Sequence, residues 1–299
     1  MEPDEVPSPR PSSILNFRDV GKTINQLLGS AVLRGGLLYR SARPDDASPQ
    51  ERMTLVDTYH IRSIIDLRST TEHINQAKKH SKIVPGPAAV PDGVSRVIDT
   101  VKVKGIDYHE INLNGGAFAR ALLWKLTWSN LVKLMALMAT GYRMQAIGIL
   151  GREVMAPRGL IGLGKDSLDH CMTELQEILI LLADSNNYPT LIHCTQGKDR
   201  TGLVILLVLL LLEIPLDAIS TDYMASEREL ESEKKERMKE IVEVGLGEEF
   251  TGCPTRFVEE MQSHINEIYG GLGGYMKRIG IDEEKQKRIR ESLLEKGPL

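Results

Sequence analysis

The chain has 299 residues, 41% hydrophobic and 26% charged, with a mean hydropathy of −0.18. This profile excludes a disordered or fibrous chain and leaves room for one large domain or two small ones around a sizeable core. A net charge of −4 and a pI near 6.0 exclude a general attraction to nucleic acid, and imply none to anionic lipid.

In chain order, MEPDEVPSPRPSS (1–13) is acidic and proline-rich without an apolar stretch, which predicts a disordered tail rather than a signal peptide. GLLYRS (36–41), IRSIIDLR (61–68), IDYHEINL (106–113) and YPTLIHC (188–194) are short and rich in branched or aromatic residues, and read as strands. PQERMTLVDTYH (49–60) opens with proline at a first helical position and predicts a helix. KKHSK (78–82) reads as a solvated helix end, and VPGPAAVPDGVSR (84–96) as a loop. Alternating strands and helices predict an α/β fold.

Residues 118–163 hold a tryptophan- and methionine-rich stretch whose apolar positions nearly encircle a helix, so something must cover it. Two readings are open: core packing, or a helical lid whose apolar face rests on a site when closed. Leu168, Cys171, Met172, Leu175, Ile178, Leu179 and Leu182 fall at helical spacing and predict one helix over 166–184, with Cys171 buried as a small hydrophobe. The run LVILLVLLLL (203–212) is about half the length needed to cross a bilayer and predicts a core helix, with no integral membrane association. ASERELESEKKERMKEIVEVG (225–245) reads as an exposed helix, and two amphipathic helices are expected from Pro254 to Tyr269 and from Asp282 to Lys296.

The three cysteines, Cys171, Cys194 and Cys253, are too sparse for a disulfide scaffold and lack metal-ligand spacing, which points to a reducing, cytoplasmic setting. Cys194 differs from the other two because it closes a strand, six residues before Arg200, where a core helix begins. A strand–loop–helix turn presents backbone N–H groups and the positive end of the helix dipole to one point, a cradle for an oxyanion. Gly197 and Gly202 permit the close approach such a loop needs, and Arg200 can grip two oxygens with its planar fork. Thiols in such a field ionise at roughly 3.5–7.5 instead of about 8.5, so Cys194 is expected to be a nucleophile at neutral pH.

HCTQGKDRTG (193–202) matches H-C-x5-R-[ST]-G, the phosphate loop of the cysteine-dependent phosphatase superfamily, at His193, Cys194, Arg200, Thr201 and Gly202. GKDRTG resembles one branch, the atypical protein-tyrosine phosphatases typified by secreted bacterial enzymes of intracellular pathogens. LNFRDVG (15–21), LLYRSARP (37–44), IIDLRSTTE (64–72), DYMAS (222–226) and YGGLGGYMKRIGI (269–281) extend the likeness, while 73–165 match poorly. Lys22 stands where that branch has a second glycine after NFRDVG, so the turn there is expected to differ. The resemblance implies a single domain over 14–299. Its centre would be a mixed, largely parallel sheet flanked by helices, with 118–163 as a helical insertion or lid.

By that resemblance Cys194 attacks phosphorus to give a phosphocysteine, which water hydrolyses. Arg200 and the loop Thr195, Gln196, Gly197, Lys198 and Gly202 hold the phosphoryl group, and Thr201 hydrogen-bonds the departing sulfur. His193 orients the loop, and no metal or cofactor is implied. Neither Trp124 nor Trp128 begins a W-P-D acid loop, and the strand YHEINLN is followed by Asn114, Gly115 and Gly116. Asp199, inside the loop as in the atypical branch, is therefore the favoured general acid; Asp99 and Asp107 are the alternatives. Asp66 and Arg68 are expected to form a structural ion pair, with Arg18, Asp19 and Arg40 bracing the loop from behind. The substrate is expected to be a phosphotyrosine protein, with phosphoserine or phosphothreonine as an extension. Lys198, as a second cation at the rim, raises phosphoinositides as an alternative. A pseudophosphatase that only binds phosphorylated partners is the non-enzymatic reading, and a rhodanese-type sulfur transferase a further enzymatic one. The intact Cys194, Arg200 and Thr201 count against the former, and Thr201 and Gly202 with the long following helix against the latter.

Overall fold

The computed structural model describes residues 11–81 and 102–295. The first ten residues of the expected tail, the KKHSK side chains, the 84–96 loop and Asp99 lie outside the described residues. The chain divides into two compact units, one drawn from residues up to Asn112, Glu177–Thr201 and Glu283 onward, the other from Leu113–Gln176 and Gly202–Asp282.

The first unit is built on a five-stranded sheet: β1 (Arg18–Asp19), β2 (Leu38–Ser41), β3 (Ser63–Asp66), β4 (Asp107–Glu110) and β5 (Thr190–His193), in the order β1-β2-β5-β3-β4. Only the β1–β2 pair is antiparallel, so the sheet is mixed and largely parallel as expected. Tyr39, Leu191 and Ile64 share one register row and one face, where they pack with Ile14, Phe17, Leu55 and Ile61. Two rows onward in each strand, Ser41, His193, Asp66 and Glu110 align at the carboxyl ends of the parallel strands. Parallel sheets bind ligands at that end.

Helix α1 (Val20–Leu28) is capped by Asp19, whose side chain accepts from Lys22 N and from Gly36 N. The sequence reading contains neither α1 nor β1. Helix α2 (Pro49–Asp57) starts with Pro49 in its first turn behind a Ser48–Glu51 capping box, and α3 (Thr70–Ser81) follows β3.

The second unit holds helices and no strand among its described residues, with α4 (Gly116–Trp124), α5 (Trp128–Ala139), α6 (Arg143–Leu150), a π turn (Gly151–Met155) and α7 (Ala156–His170) in its first part. The expected 166–184 helix is two, α7 and α8 (Met172–Leu182), separated at Cys171 (φ −107°, ψ 31°). The apolar stripe survives the break, because Leu175 N still donates to Cys171 O and Leu168, Cys171, Leu175, Ile178, Leu179 and Leu182 are all buried.

Helix α9 (Asp199–Leu211) begins in the first unit and continues into the second, and Leu203–Leu209 are buried on all sides, as the apolar run predicts. Among the described residues no helix is long and apolar enough to cross a membrane. The charged helix of 225–245 is interrupted: α10 (Leu216–Glu229) stops at Leu230, a 3-10 turn spans Glu231–Glu233, and α11 (Lys234–Glu243) follows. Glu227 and Glu231, and Glu229 and Glu233, stand four apart as like charges, which disfavours a continuous helix there. Helices α12 (Phe257–Tyr269), α13 (Leu272–Arg278) and α14 (Glu283–Leu293) complete the chain, α14 returning to the first unit.

In the 118–163 region the core-packing expectation holds for one side only. Leu134, Ala146 and Ile149 form a buried cluster with Leu123, Leu126, Leu137 and Leu150, while Trp124 and Trp128 are 84% and 78% exposed.

Candidate active site

Strand β5 ends at His193, and Cys194 follows with only 3% exposure. The next turn is held from behind. Asn16, wholly buried and in the left-handed region (φ 56°), donates through Nδ2 to the carbonyls of Gln196 (2.9 Å) and Gly197 (3.1 Å). Arg40 Nη2 donates to the Gly197 carbonyl at 2.8 Å, and Arg43 to the Thr195 carbonyl through backbone N (3.2 Å) and Nη1 (3.3 Å). Arg18 acts one step back, donating to the Asn16 side-chain oxygen. In a trans peptide the N–H points away from the C=O, so pinning these carbonyls outward turns the N–H groups of Gln196, Gly197 and Lys198 to the opposite side. The loop is thus preset to offer donors to an anion. Gly197 (φ 64°) has no substitute, since a Cβ there would stand 1.9 Å from the Ser41 carbonyl oxygen.

Arg200, in the first turn of α9, is held by a residue the sequence reading did not assign. Its Nη1 donates to Glu72 Oε2 at 2.8 Å and to the Leu67 carbonyl at 3.1 Å; its Nη2 donates to Glu72 Oε1 at 2.6 Å and to Thr195 Oγ1 at 3.3 Å. Thr195 Oγ1 in turn donates to Glu72 Oε1. Burial alone would discharge both partners. Their mutual attraction outweighs it, holding the Glu72 carboxyl well below its ordinary range and Arg200 above its own, with the charge of Cys194 acting on Arg200 in the same sense.

A second network lies beside the loop. Arg68 clamps Asp66 through Nε (3.0 Å) and Nη2 (2.7 Å) and reaches Asp45, confirming the expected Asp66–Arg68 ion pair. Asp66 also lies 3.5 Å from both His193 Nε2 and His73 Nε2. Burial would raise Asp66, but His193, Arg68 and His73 together hold it below the carboxylate range, while burial keeps His193 below the usual imidazole range. His193 Nδ1 lies 3.2 Å from the Cys194 carbonyl oxygen, so the imidazole bridges the Cys194 backbone to the Asp66 cluster.

The remaining loop residues fall as follows. Asp199 is the first residue of α9, with its side chain 38% exposed. Thr201 is buried and, among the described residues, its hydroxyl has no hydrogen-bond partner. Gln196 is buried, and Gly202 lies in the first turn of α9. Lys198 departs from the expected rim position: its side chain has no exposure, and Nζ lies 3.6 Å from Asp199 Oδ1, because the loop turns it inward against that carboxylate. Asp107 pairs in register with Ser63, which pairs with Thr190, so it stands at the far end of the sheet from Cys194.

Asn16, Arg43, Asp45, Glu72 and His73 were the unassigned members of the site. Two had a local signal. Asn16 sits in LNFRDVG, and Glu72 completes the S-T-T-E capping box of α3, with Ser69 N donating to Glu72 Oε2 at 2.9 Å.

The sequence model of the tyrosine phosphatase family matches residues 10–295, nearly the whole chain. The chain belongs to the tyrosine phosphatase family. It is 28% identical over 298 residues to the triple specificity protein phosphatase PtpB of Mycobacterium tuberculosis, covering 93% of this chain and 96% of that protein. To a tyrosine-protein phosphatase of Nostoc commune it is 26% identical over 171 residues, 51% of this chain and 58% of the other. The protein is a phosphatase, and the site assembled around Cys194 is where its chemistry is to be sought.

The other thiols of the phosphatase lie elsewhere. Burial, with Glu174 adding to it, pushes the Cys171 thiol up to about 12. Cys171 therefore stays protonated at any ordinary pH, and should resist iodoacetamide in the folded protein at pH 8, as read by mass mapping; ready alkylation there would contradict its burial.

Proposed function

We propose that the enzyme is a phosphotyrosine protein phosphatase of a reducing, cytoplasmic compartment, working through a phosphocysteine at Cys194. The observation that carries this reading is the loop itself. Three carbonyls are tied outward by Asn16, Arg40 and Arg43, and Cys194 and Arg200 stand at its two ends. The Cys194 thiolate forms a bond to phosphorus while the ester oxygen departs. The amides of the loop residues Thr195, Gln196, Gly197 and Lys198, with Gly202 allowing close approach, and the Arg200 fork take up the charge on the three equatorial oxygens. Thr201, whose hydroxyl has no hydrogen-bond partner among the described residues, donates to the sulfur as water displaces it.

Asp199 gives its proton to the leaving oxygen and recovers one from the attacking water. Its partial exposure at the start of α9 supports that role, and the position of Asp107 at the opposite end of the sheet speaks against that one of the two alternatives. Asp199→Asn is expected to lower kcat by about 10²–10³-fold on alkyl or tyrosyl phosphates and under tenfold on an activated aryl phosphate. Equal losses on both, measured by steady-state kinetics, would remove Asp199 as the acid. The inward-turned Lys198 does not support a rim selecting multiply phosphorylated lipids. The triple specificity in the name of the Mycobacterium tuberculosis relative does support substrates beyond phosphotyrosine. A panel of phosphotyrosine, phosphoserine and phosphothreonine peptides beside soluble phosphoinositides ranks them by kcat/KM, and a large preference for the lipids would displace the proposed substrate.

A further inference from the structure

Helix α5 is apolar on two sides and packed on one. Leu134 and Leu137 join the cluster with Ala146 and Ile149, while Trp128, Val132 and Met135, at i, i+4 and i+7, run along an exposed stripe. Trp124 before α5, and Tyr142 and Met144 after it, are exposed as well. An uncovered apolar stripe of this kind marks an interaction site.

The charge around it identifies the partner. Residues 113–152 contain Arg120, Lys125, Lys133, Arg143 and Arg152 and no aspartate or glutamate, in a chain whose net charge is −4. Arg120 precedes Trp124 by one helical turn, Lys133 flanks the α5 stripe, and both are exposed. Lys125 lies 3.4 Å from Asp166, so the two former cations carry the argument. Exposed tryptophan and methionine between cations, with no acid in the segment, is the make-up of a surface that lies in the headgroup layer of an anionic bilayer. We infer that the face formed by Trp124, Trp128, Val132 and Met135 docks the phosphatase peripherally on anionic membrane, the rings entering the interface and Arg120 and Lys133 meeting lipid phosphates.

The two tryptophans of the chain both lie on this face, so their emission reports on it alone. Full-length protein is titrated with vesicles of phosphatidylcholine alone, or of phosphatidylcholine with about a quarter phosphatidylserine, an anionic content that should attract both cations. The expected result is a blue shift and quenching by brominated lipid on the anionic vesicles, weakened by salt. Arg120→Glu with Lys133→Glu lowers partitioning by at least about tenfold. Met135→Ser with Val132→Ser lowers it by a similar factor while leaving both reporters in place. Hydrolysis of a soluble aryl phosphate without vesicles stays at the wild-type rate in both variants, which separates this inference from the proposed chemistry. Absence of binding or equal partitioning onto neutral vesicles would overturn the inference. So would a blue shift caused by vanadate alone, or a lipid-free dimer that buries the tryptophans.

Discussion

Cys194→Ser is expected to lower turnover of an aryl phosphate by at least about 10⁴-fold at neutral pH, with little change in circular dichroism or thermal midpoint. The substitution keeps the size of the side chain at the end of β5 and leaves Asn16, Arg40 and Arg43 holding the loop carbonyls, so the cradle is intact. What is lost is the sulfur that the proposed mechanism uses as nucleophile and then as leaving group. A serine oxygen is the poorer group in both roles. Binding of an oxyanion such as vanadate or phosphate should persist in the variant, since the amides and Arg200 are unchanged.

The second large effect centres on Arg200. Lysine offers one charged point where arginine offers a fork, so Arg200→Lys should lower kcat/KM by about 10³-fold. Glu72 governs how that fork is presented. It takes both Nη groups, which pre-aims the guanidinium and leaves a bound phosphate to share Arg200 with it. Glu72→Gln keeps the shape and removes the charge, and should lower kcat/KM by about 10–100-fold. Both side chains are partly solvent-reached, so the stability loss should be about 1–2 kcal/mol, below that of a fully dry pair. Glu72 titrates lower folded than unfolded, so the pair stabilises the protein fully above the ordinary carboxylate range. That contribution is lost only as pH falls through the depressed value. Wild type should therefore hold its thermal midpoint through mildly acidic pH, with the gap to Glu72→Gln closing only at strongly acidic pH.

The contiguous part of the site was legible in the sequence because its chemistry is contiguous: a strand delivers Cys194, a glycine turn follows, and Arg200 opens an apolar helix. The four predicted strands exist, each shortened to four residues, because apolar runs extend past the last ladder hydrogen bond. The supports of the loop were less accessible. Asn16 reaches Gln196 across 180 positions and Glu72 reaches Arg200 across 128, and no local periodicity encodes such pairings. The S-T-T-E box announces where α3 starts without telling that its glutamate also holds an arginine. Register decides another point: Asp107 is near YHEINLN in sequence, yet the pairing of β4 with β3 carries it to the wrong end of the sheet. Lys198 was misplaced because residue type alone does not say which side of a tight turn a long side chain takes.

The central claim is that phosphate passes through the sulfur of Cys194. Acid quenching within the first turnover of an aryl phosphate, followed by peptide mass mapping, tests it. The account predicts a phosphate mass on the peptide containing Cys194, in amounts approaching one per enzyme and absent from Cys194→Ser. Phosphate on another residue, or undiminished turnover by the serine variant, would contradict it.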